Sequence, residues 1–297
     1  MWLSLAFVSA LFLGLYDVAK KKAVAGNAVA VVLLLTTTLS TLLFSPVIIS
    51  STFGLGWFSD TMFDYGQQSL QAHAQVMLKA CITLSSWMFG YVGIKHLPLT
   101  IVGPINATRP VIVLLGALLI FGERLNAMQW VGVVLALFSI FLLSRAGRRE
   151  GINFVRNRYI LYVALAALLG ATSGLYDRYL LREIDPMFVQ SWFSLYQAVI
   201  MCLIVAAMRF AGALPAFTWR WAIPLITIFL TIADMAYFVA LSQDDSMVAV
   251  VSMIRRSSVV VSFVCGAVLF GEKNLRSKAL DLIFILIGMV FLWLGTR

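Results

Sequence analysis

Ten stretches of about 20 apolar residues follow one another along this chain. They run at 2–19, 27–48, 74–94, 98–121, 126–145, 159–177, 187–208, 221–241, 247–270 and 278–296. A helix of that length reaches across the roughly 30 Å hydrocarbon core of a bilayer. In lipid a segment must satisfy its own backbone donors and acceptors, which leaves helices as the form such runs take. Hydrophobic residues make up 62% of the 297 and charged residues only 12%, well below the roughly 25% charge of a soluble domain. The expected fold class is therefore an all-α membrane protein with ten transmembrane helices. The opening "MWLSLAFVSALFLGLYDVAKKK" has its lysines after the apolar run and no clear cleavage site, so it reads as the first membrane helix.

The net charge of +9 does not point to nucleic acid, because most Lys and Arg sit between the apolar runs. Connections on one side, those after runs 1, 3, 5, 7 and 9, carry 14 of the 22 basic residues; the termini and the other connections carry four. The positive-inside rule then puts both termini outside. Cys81, Cys202 and Cys265 all lie inside apolar runs and His73 and His96 are the two histidines, so no metal site is expected. No nucleophile motif, phosphate-cradling Gly loop or ATP-binding domain is present. The chain reads as a non-enzyme without a cofactor, driven by a gradient or by exchange. Two connections are longer, 49–73, with room for a short interfacial helix, and the polar linker 146–158.

"GLYD" occurs at Gly14–Asp17 and again at Gly174–Asp177, 160 residues on. "FGER" at Phe121–Arg124 is matched by "FGEK" at Phe270–Lys273, 149 residues on. Both pairs fall at the same place in each set of five runs, and the longer 49–73 connection accounts for the change of offset. The halves 1–148 and 149–297 read as two copies of one unit. A unit with five spans enters on one side and leaves on the other, so its copy must insert upside down. Two five-helix inverted repeats result, with a pseudo-two-fold axis in the membrane plane, the arrangement behind alternating access.

These features resemble the drug/metabolite transporter superfamily in its ten-helix EamA-type form. The resemblance is carried by Gly14 and Lys20–Lys22 around the first run and by the Gly-Glu-basic endings at 122–124 and 271–273. The Pro-containing fourth run "GPINATRPVIVLLGALLIFGER" adds to it. It implies a secondary transporter of the bacterial inner membrane, monomer or homodimer, with termini inside, opposite to the charge count. Asp17 and Asp177 stand where that family usually has a small or amide residue.

Four basic residues lie inside apolar runs: Lys79, Arg109, Arg255 and Arg256. A basic residue at bilayer centre costs about 2.5–3.5 kcal/mol, so the arginines must face a polar interior, an acid or water. The 149-residue offset sets Asn106 opposite Arg255 and Arg109 opposite Ser258, across the pseudo-axis where inverted repeats hold substrate. Pro104 and Pro110 bend helix 4 and free carbonyls beside that cavity. Asp234 is expected to pair with one arginine. The remaining positive excess points to an anionic substrate, since guanidinium groups hold carboxylate or phosphate by parallel hydrogen bonds. "IRRSSVVVSFVCGAVLF" is also similar to the ninth helix of plastid-type phosphate translocators, which implies Arg255 and Arg256 as phosphate ligands, joined by Lys79. From its position alone, Lys79 serves equally well by snorkelling to the interface. Gln190 and Gln197, seven apart, are candidate cavity residues on helix 7. Glu123 and Glu272 read as caps or interfacial charges.

For Asp17 and Asp177 there are two readings. They tie helix ends to neighbours, or they latch a pair of symmetry-related gates in which Tyr16 and Tyr176 stack. Three functions remain open: transport of a small organic anion or phosphorylated metabolite, with a coupling proton or counter-substrate; export of amino acids or other zwitterions; and flipping of an anionic lipid-linked carrier, which a lateral opening between helices would favour.

Overall fold

Ten helices form among the described residues. They are α1 (Trp2–Val24), α2 (Val29–Phe53), α3 (Leu70–His96), α4 (Leu99–Ala107), α5 (Ala127–Arg148), α6 (Arg158–Leu180), α7 (Pro186–Phe210), α8 (Ala222–Leu241), α9 (Ser258–Leu269) and α10 (Leu275–Leu294). The computed structural model describes all residues except 1, 60, 62, 67, 113–114, 116–125, 149, 181–183, 242–250, 252–253, 273 and 296–297, and leaves out the side chains of 178, 238 and 241. Seven helices are long and apolar enough to cross a membrane: α1, α2, α3, α5, α6, α7 and α10; α8 contributes a shorter apolar stretch, Ala222–Tyr237. The helices mostly outrun the apolar stretches. Backbone hydrogen bonding continues into the interface, where lysines find carbonyls: Lys21 Nζ, in the last turn of α1, donates to the carbonyls of Ile94 (2.8 Å) and Leu97 at the end of α3. Ser69 caps α3 by accepting from the Ala72 N–H at 3.2 Å, which starts that helix four residues before the apolar run. Among the described residues of 49–73 no separate short helix forms. α2 runs on to Phe53, Gly54 closes it at φ +62, and the described residues from there to Ser69 form turns and extended chain.

Each half packs mainly on the other. α1 lies along α8 and α3 along α6; α2 lies on α7, α4 on α9 and α5 on α10; α9 touches α1 as α4 touches α6. Exchanging α1–α5 with α6–α10 maps every one of these pairs onto another pair in the set or onto itself, as a two-fold relation between the halves requires. Residue contacts repeat the relation. Between α5 and α10, Ser139 Oγ donates to Asp281 at 2.5 Å. A 149-residue exchange turns that pair into Gly288 and Gly132, where the helices cross so closely that a Cβ on Gly132 would lie 2.8 Å from the Gly288 carbonyl oxygen.

Helices 4 and 9 break at equivalent points. Thr108 N–H bonds the Ile105 carbonyl (3.2 Å) and Val111 N–H the Thr108 carbonyl (2.9 Å); 149 residues on, Ser257 N–H bonds Ile254 (3.0 Å) and Val260 N–H bonds Ser257 (2.9 Å). The hydroxyls do the same, Thr108 Oγ1 donating to Ile105 (2.7 Å) and Ser257 Oγ to Ile254 (2.6 Å). Each break is thus one tightened turn in which a hydroxyl competes for a backbone carbonyl. Pro110 reinforces the first by supplying no N–H of its own. The second has no proline, so the hydroxyl and not the proline is the shared cause.

The end of the bundle that carries most basic residues is knitted shut. Glu272, between α9 and α10, accepts from the N–H groups of Leu99 (2.7 Å) and Thr100 (2.9 Å) and from Thr100 Oγ1 (2.5 Å), capping α4 from the other half. Lys278, at 0% exposure, donates to Thr100 Oγ1 (2.9 Å) and pairs with Glu150 of the linker (2.8 Å). Glu123, the counterpart of Glu272, lies outside the described residues.

Candidate functional site

The two breaks bring the arginines of the sequence together. Arg109 follows Thr108; Arg255 and Arg256 precede Ser257. Because α4 and α9 cross at this depth, all three guanidinium groups share one electrostatic neighbourhood with Asp17, Lys20, Asp234, Tyr16 and Tyr237. Each charge has a defined place in it. Arg255 is hydrogen-bonded to Asp234 of α8 and lies over the Tyr237 ring at 4.4 Å. Lys20 pairs with Asp17 at 2.5 Å, one turn along α1, with its ammonium 4.0 Å from the centre of the Tyr16 ring. The other Asp17 oxygen accepts from Ser262 of α9 at 3.0 Å. Arg109 donates to Asn106 Oδ1 at 3.1 Å, and its Nε is buried without a partner among the described residues. Arg256 is exposed.

The balance of the cluster follows. Lys20, Arg109, Arg255 and Arg256 face Asp17 and Asp234, and the two carboxylates are taken by Lys20 and Arg255. Arg109 and Arg256 repel each other with no carboxylate pair among the described residues. Two unpaired guanidinium groups in a lipid-embedded bundle are costly, and an anion bridging them relieves that cost. The guanidinium of Arg109 lies against the bare backbone of α6 at Gly170, where an added Cβ would sit 2.7 Å from Cζ.

The remaining expected site residues form a second group. Lys79 of α3 pairs with Asp177 of α6 at 2.8 Å and covers the Phe193 ring at 4.6 Å. Tyr176 donates weakly to the Gln75 carbonyl (3.4 Å) and stacks with Tyr179, centroids 6.0 Å apart. Gln197 is buried in α7 with its amide nitrogen unpartnered, and Gln190 is half-buried on the same helix. Lys79 ends among Asp177 and Phe193 and not among the arginines.

Several members were not anticipated. Lys20 lies just past the first apolar run, and its spacing of three from Asp17 on a helix is the signal that it turns back to that acid. Tyr91, 2% exposed, adjoins Tyr16 and Thr36 behind the cluster. Asp281 is fully buried in α10 with one oxygen bonded to Ser139 and the other unpartnered among the described residues; an acid inside the tenth apolar run was its signal.

The glycines of the repeated Gly-Leu-Tyr-Asp behave differently. Gly14 is pressed onto α9, where a Cβ would lie 2.9 Å from the Ser258 carbonyl oxygen. Among the described residues nothing approaches a Cβ on Gly174 within 4 Å.

A model of the EamA-like transporter family matches residues 1–145 and matches again over 157–294. No curated protein sequence matches the chain. Among solved structures, a crystal structure described only as that of a protein superposes with a TM-score of 0.66 at 17% identity, covering 100% of this chain and 98% of its own. At that identity the likeness is one of fold.

Proposed function

We infer, from the premise that the chain belongs to the EamA-like transporter family, that this multi-pass membrane transporter carries a small organic anion or a phosphorylated metabolite. The observation behind this reading is the charge balance at the helix 4 and helix 9 breaks, where Arg109 and Arg256 have no carboxylate pair among the described residues. A phosphate or carboxylate accepts two parallel bonds from a guanidinium. Asn106 orients Arg109, and the Arg255–Asp234 pair holds α9 to α8. On this reading the chain crosses the membrane ten times, as inverted repeats 1–148 and 149–297, with α4 and α9 as the discontinuous helices that meet at mid-depth.

Alternating access is supported by the difference between equivalent contacts. α1 is packed on α9 at Gly14, and the basic end is tied by Glu272, Lys278 and Lys21. No described residue crowds the matching position at Gly174. The equivalent contacts thus differ between the halves, and exchanging the two conformations between them reverses the sidedness. Transport is powered by a coupled proton or counter-substrate.

Uptake into proteoliposomes tests the cargo, with a panel of organic phosphates, carboxylates, nucleotide-sugars and neutral amino acids. Accumulation of phosphates or carboxylates is expected; uptake confined to neutral amino acids would overturn the anion reading. A second prediction concerns the latches. Asp17→Asn weakens the tie to Lys20, and Asp177→Asn the tie to Lys79. Each should lower the maximal rate about tenfold, the size of a charge-assisted bond of about 1.5 kcal/mol, and leave KM nearly unchanged. Normal initial rates in both variants would remove the gating role.

A further inference from the structure

Two apolar grooves lie beside the helix 4 and helix 9 breaks, and part of their lining is related by the repeat. The first is a cleft of about 220 Å³ between α4, α5 and α6, with Thr108, Ile112 and Leu115 on one wall and Leu137, Ala164 and Ala167 on the others. The second is a shallower groove of about 460 Å³ between α1 and α9, bounded by Ser257, Val260 and Val261 against Phe7, Val8 and Leu11. The 149-residue offset carries Thr108 onto Ser257 and Ile112 onto Val261, and the 160-residue offset carries Phe7 onto Ala167. Each groove is lined by the hydroxyl residue of a helix break, and an arginine of the cluster adjoins it in the chain: Arg109 after Thr108, Arg256 before Ser257.

The grooves belong to opposite ends of the bundle. The first uses the N-terminal part of α6, the later part of α5 and Phe154 of the linker, all toward the basic end. The second uses the N-terminal half of α1, whose other end carries Lys20–Lys22. One groove therefore lies toward each end of the bundle, and each is lined by a break residue, Thr108 or Ser257, that is next in the chain to an arginine of the cluster.

We propose that the substrate is an amphiphile with an anionic phosphate or carboxylate head, held by Arg109 and Arg256, whose hydrocarbon chain lies in one groove before translocation and in the other after it. This rests on the anionic site described above and adds to it. The head needs a charged, enclosed path across the bilayer. The chain never leaves an apolar medium, so it needs only a lateral opening in each leaflet beside that path. Bulk lipid would fill any crevice, but it would not require crevices matched by the repeat and anchored at the unpaired cations.

The test uses the full chain in phosphatidylcholine vesicles with two probes: fluorescent lysophosphatidic acid, followed by dithionite bleaching of the outer leaflet, and glycerol phosphate, followed by uptake. The parent should flip lysophosphatidic acid at least about tenfold faster than protein-free vesicles, and faster than the zwitterionic lysophosphatidylcholine. Val8→Trp and Ala164→Trp fill the grooves at exposed positions. They should slow the flip about tenfold and leave glycerol phosphate uptake unchanged. If glycerol phosphate enters and lysophosphatidic acid does not flip, the amphiphile proposal fails and the soluble-anion reading survives. If neither moves, both fail. If both groove variants flip the lipid at the parent rate, or the zwitterion flips equally well, the grooves merely hold bulk lipid and the proposal is overturned.

Discussion

Arg256→Gln is expected to lose about 100-fold in anion uptake while its melting temperature stays level or rises. Both halves of that result come from the same fact. Arg256 has no carboxylate pair among the described residues, and the described charges that act on it are those of Arg109 and Arg255. Without substrate its charge is repelled, so removing it relieves the cluster and costs the fold nothing. With substrate it supplies charge-assisted bonds worth about 1.5–3 kcal/mol each, and two of them account for a loss of about 100-fold or more. Arg256→Lys keeps the charge and loses the planar fork, so an intermediate loss of about tenfold is expected. Initial uptake rates in proteoliposomes, beside a thermal melt of the substrate-free protein, read both halves. Parent-level uptake by the glutamine variant would end the assignment, and so would a clear drop in melting temperature, because the residue would then be holding helices together. Arg255→Gln provides the contrast. It strands Asp234 and should lower the melting temperature, since its bonds are already made within the protein.

The fold was legible because lipid imposes a simple code. A charge within 20 apolar residues stands out, and short duplicated motifs fall at fixed offsets. Arg109, Arg255, Arg256 and Asp234 were found by that contrast. Helix ends were less legible. Lys20 and Lys278 look like interfacial charge in the sequence, yet both are buried, because a long side chain can turn inward to a carboxylate, Asp17 one turn back on the same helix for Lys20 and Glu150 of the linker for Lys278. Partner choice was not legible at all. Three arginines and a few acids allow several pairings, and only packing selects Arg255 for Asp234 and Lys79 for Asp177. Hydroxyls at the two breaks carried a signal that was available, since Thr108 and Ser257 lie one repeat apart. Their effect on the backbone shows only when the turn is seen. The paired grooves depend on where α4 leaves α6 and α9 leaves α1, which no periodicity encodes.

Glu150→Ala is expected to destabilise the protein more than removal of its partner. Lys278 is 0% exposed, and Glu150 in the linker supplies its neutralising carboxylate at 2.8 Å. Taking that carboxylate away leaves a buried ammonium bonded only to Thr100 Oγ1 among the described residues. Breaking a buried ion pair in this way costs about 3–5 kcal/mol, or about 5–10 °C in a chain of this size. The loss also spreads. Thr100 is the residue that Glu272 caps, so a displaced Lys278 disturbs the start of α4 and the turn between α9 and α10 together. Lys278→Met removes the charge and keeps the chain's bulk. It frees Glu150 to turn toward water and toward Asn274, which already donates to it at 3.2 Å, and the cost should be smaller, about 1–2 kcal/mol. The double variant Glu150→Ala, Lys278→Met removes both charges and should melt above Glu150→Ala alone, because no uncompensated ion remains. Membrane proteins seldom unfold reversibly, so apparent midpoints are compared at one heating rate. A Glu150→Ala midpoint within about 1 °C of the parent, or a double variant that melts below both singles, would mean that the linker carboxylate does not hold the basic end closed.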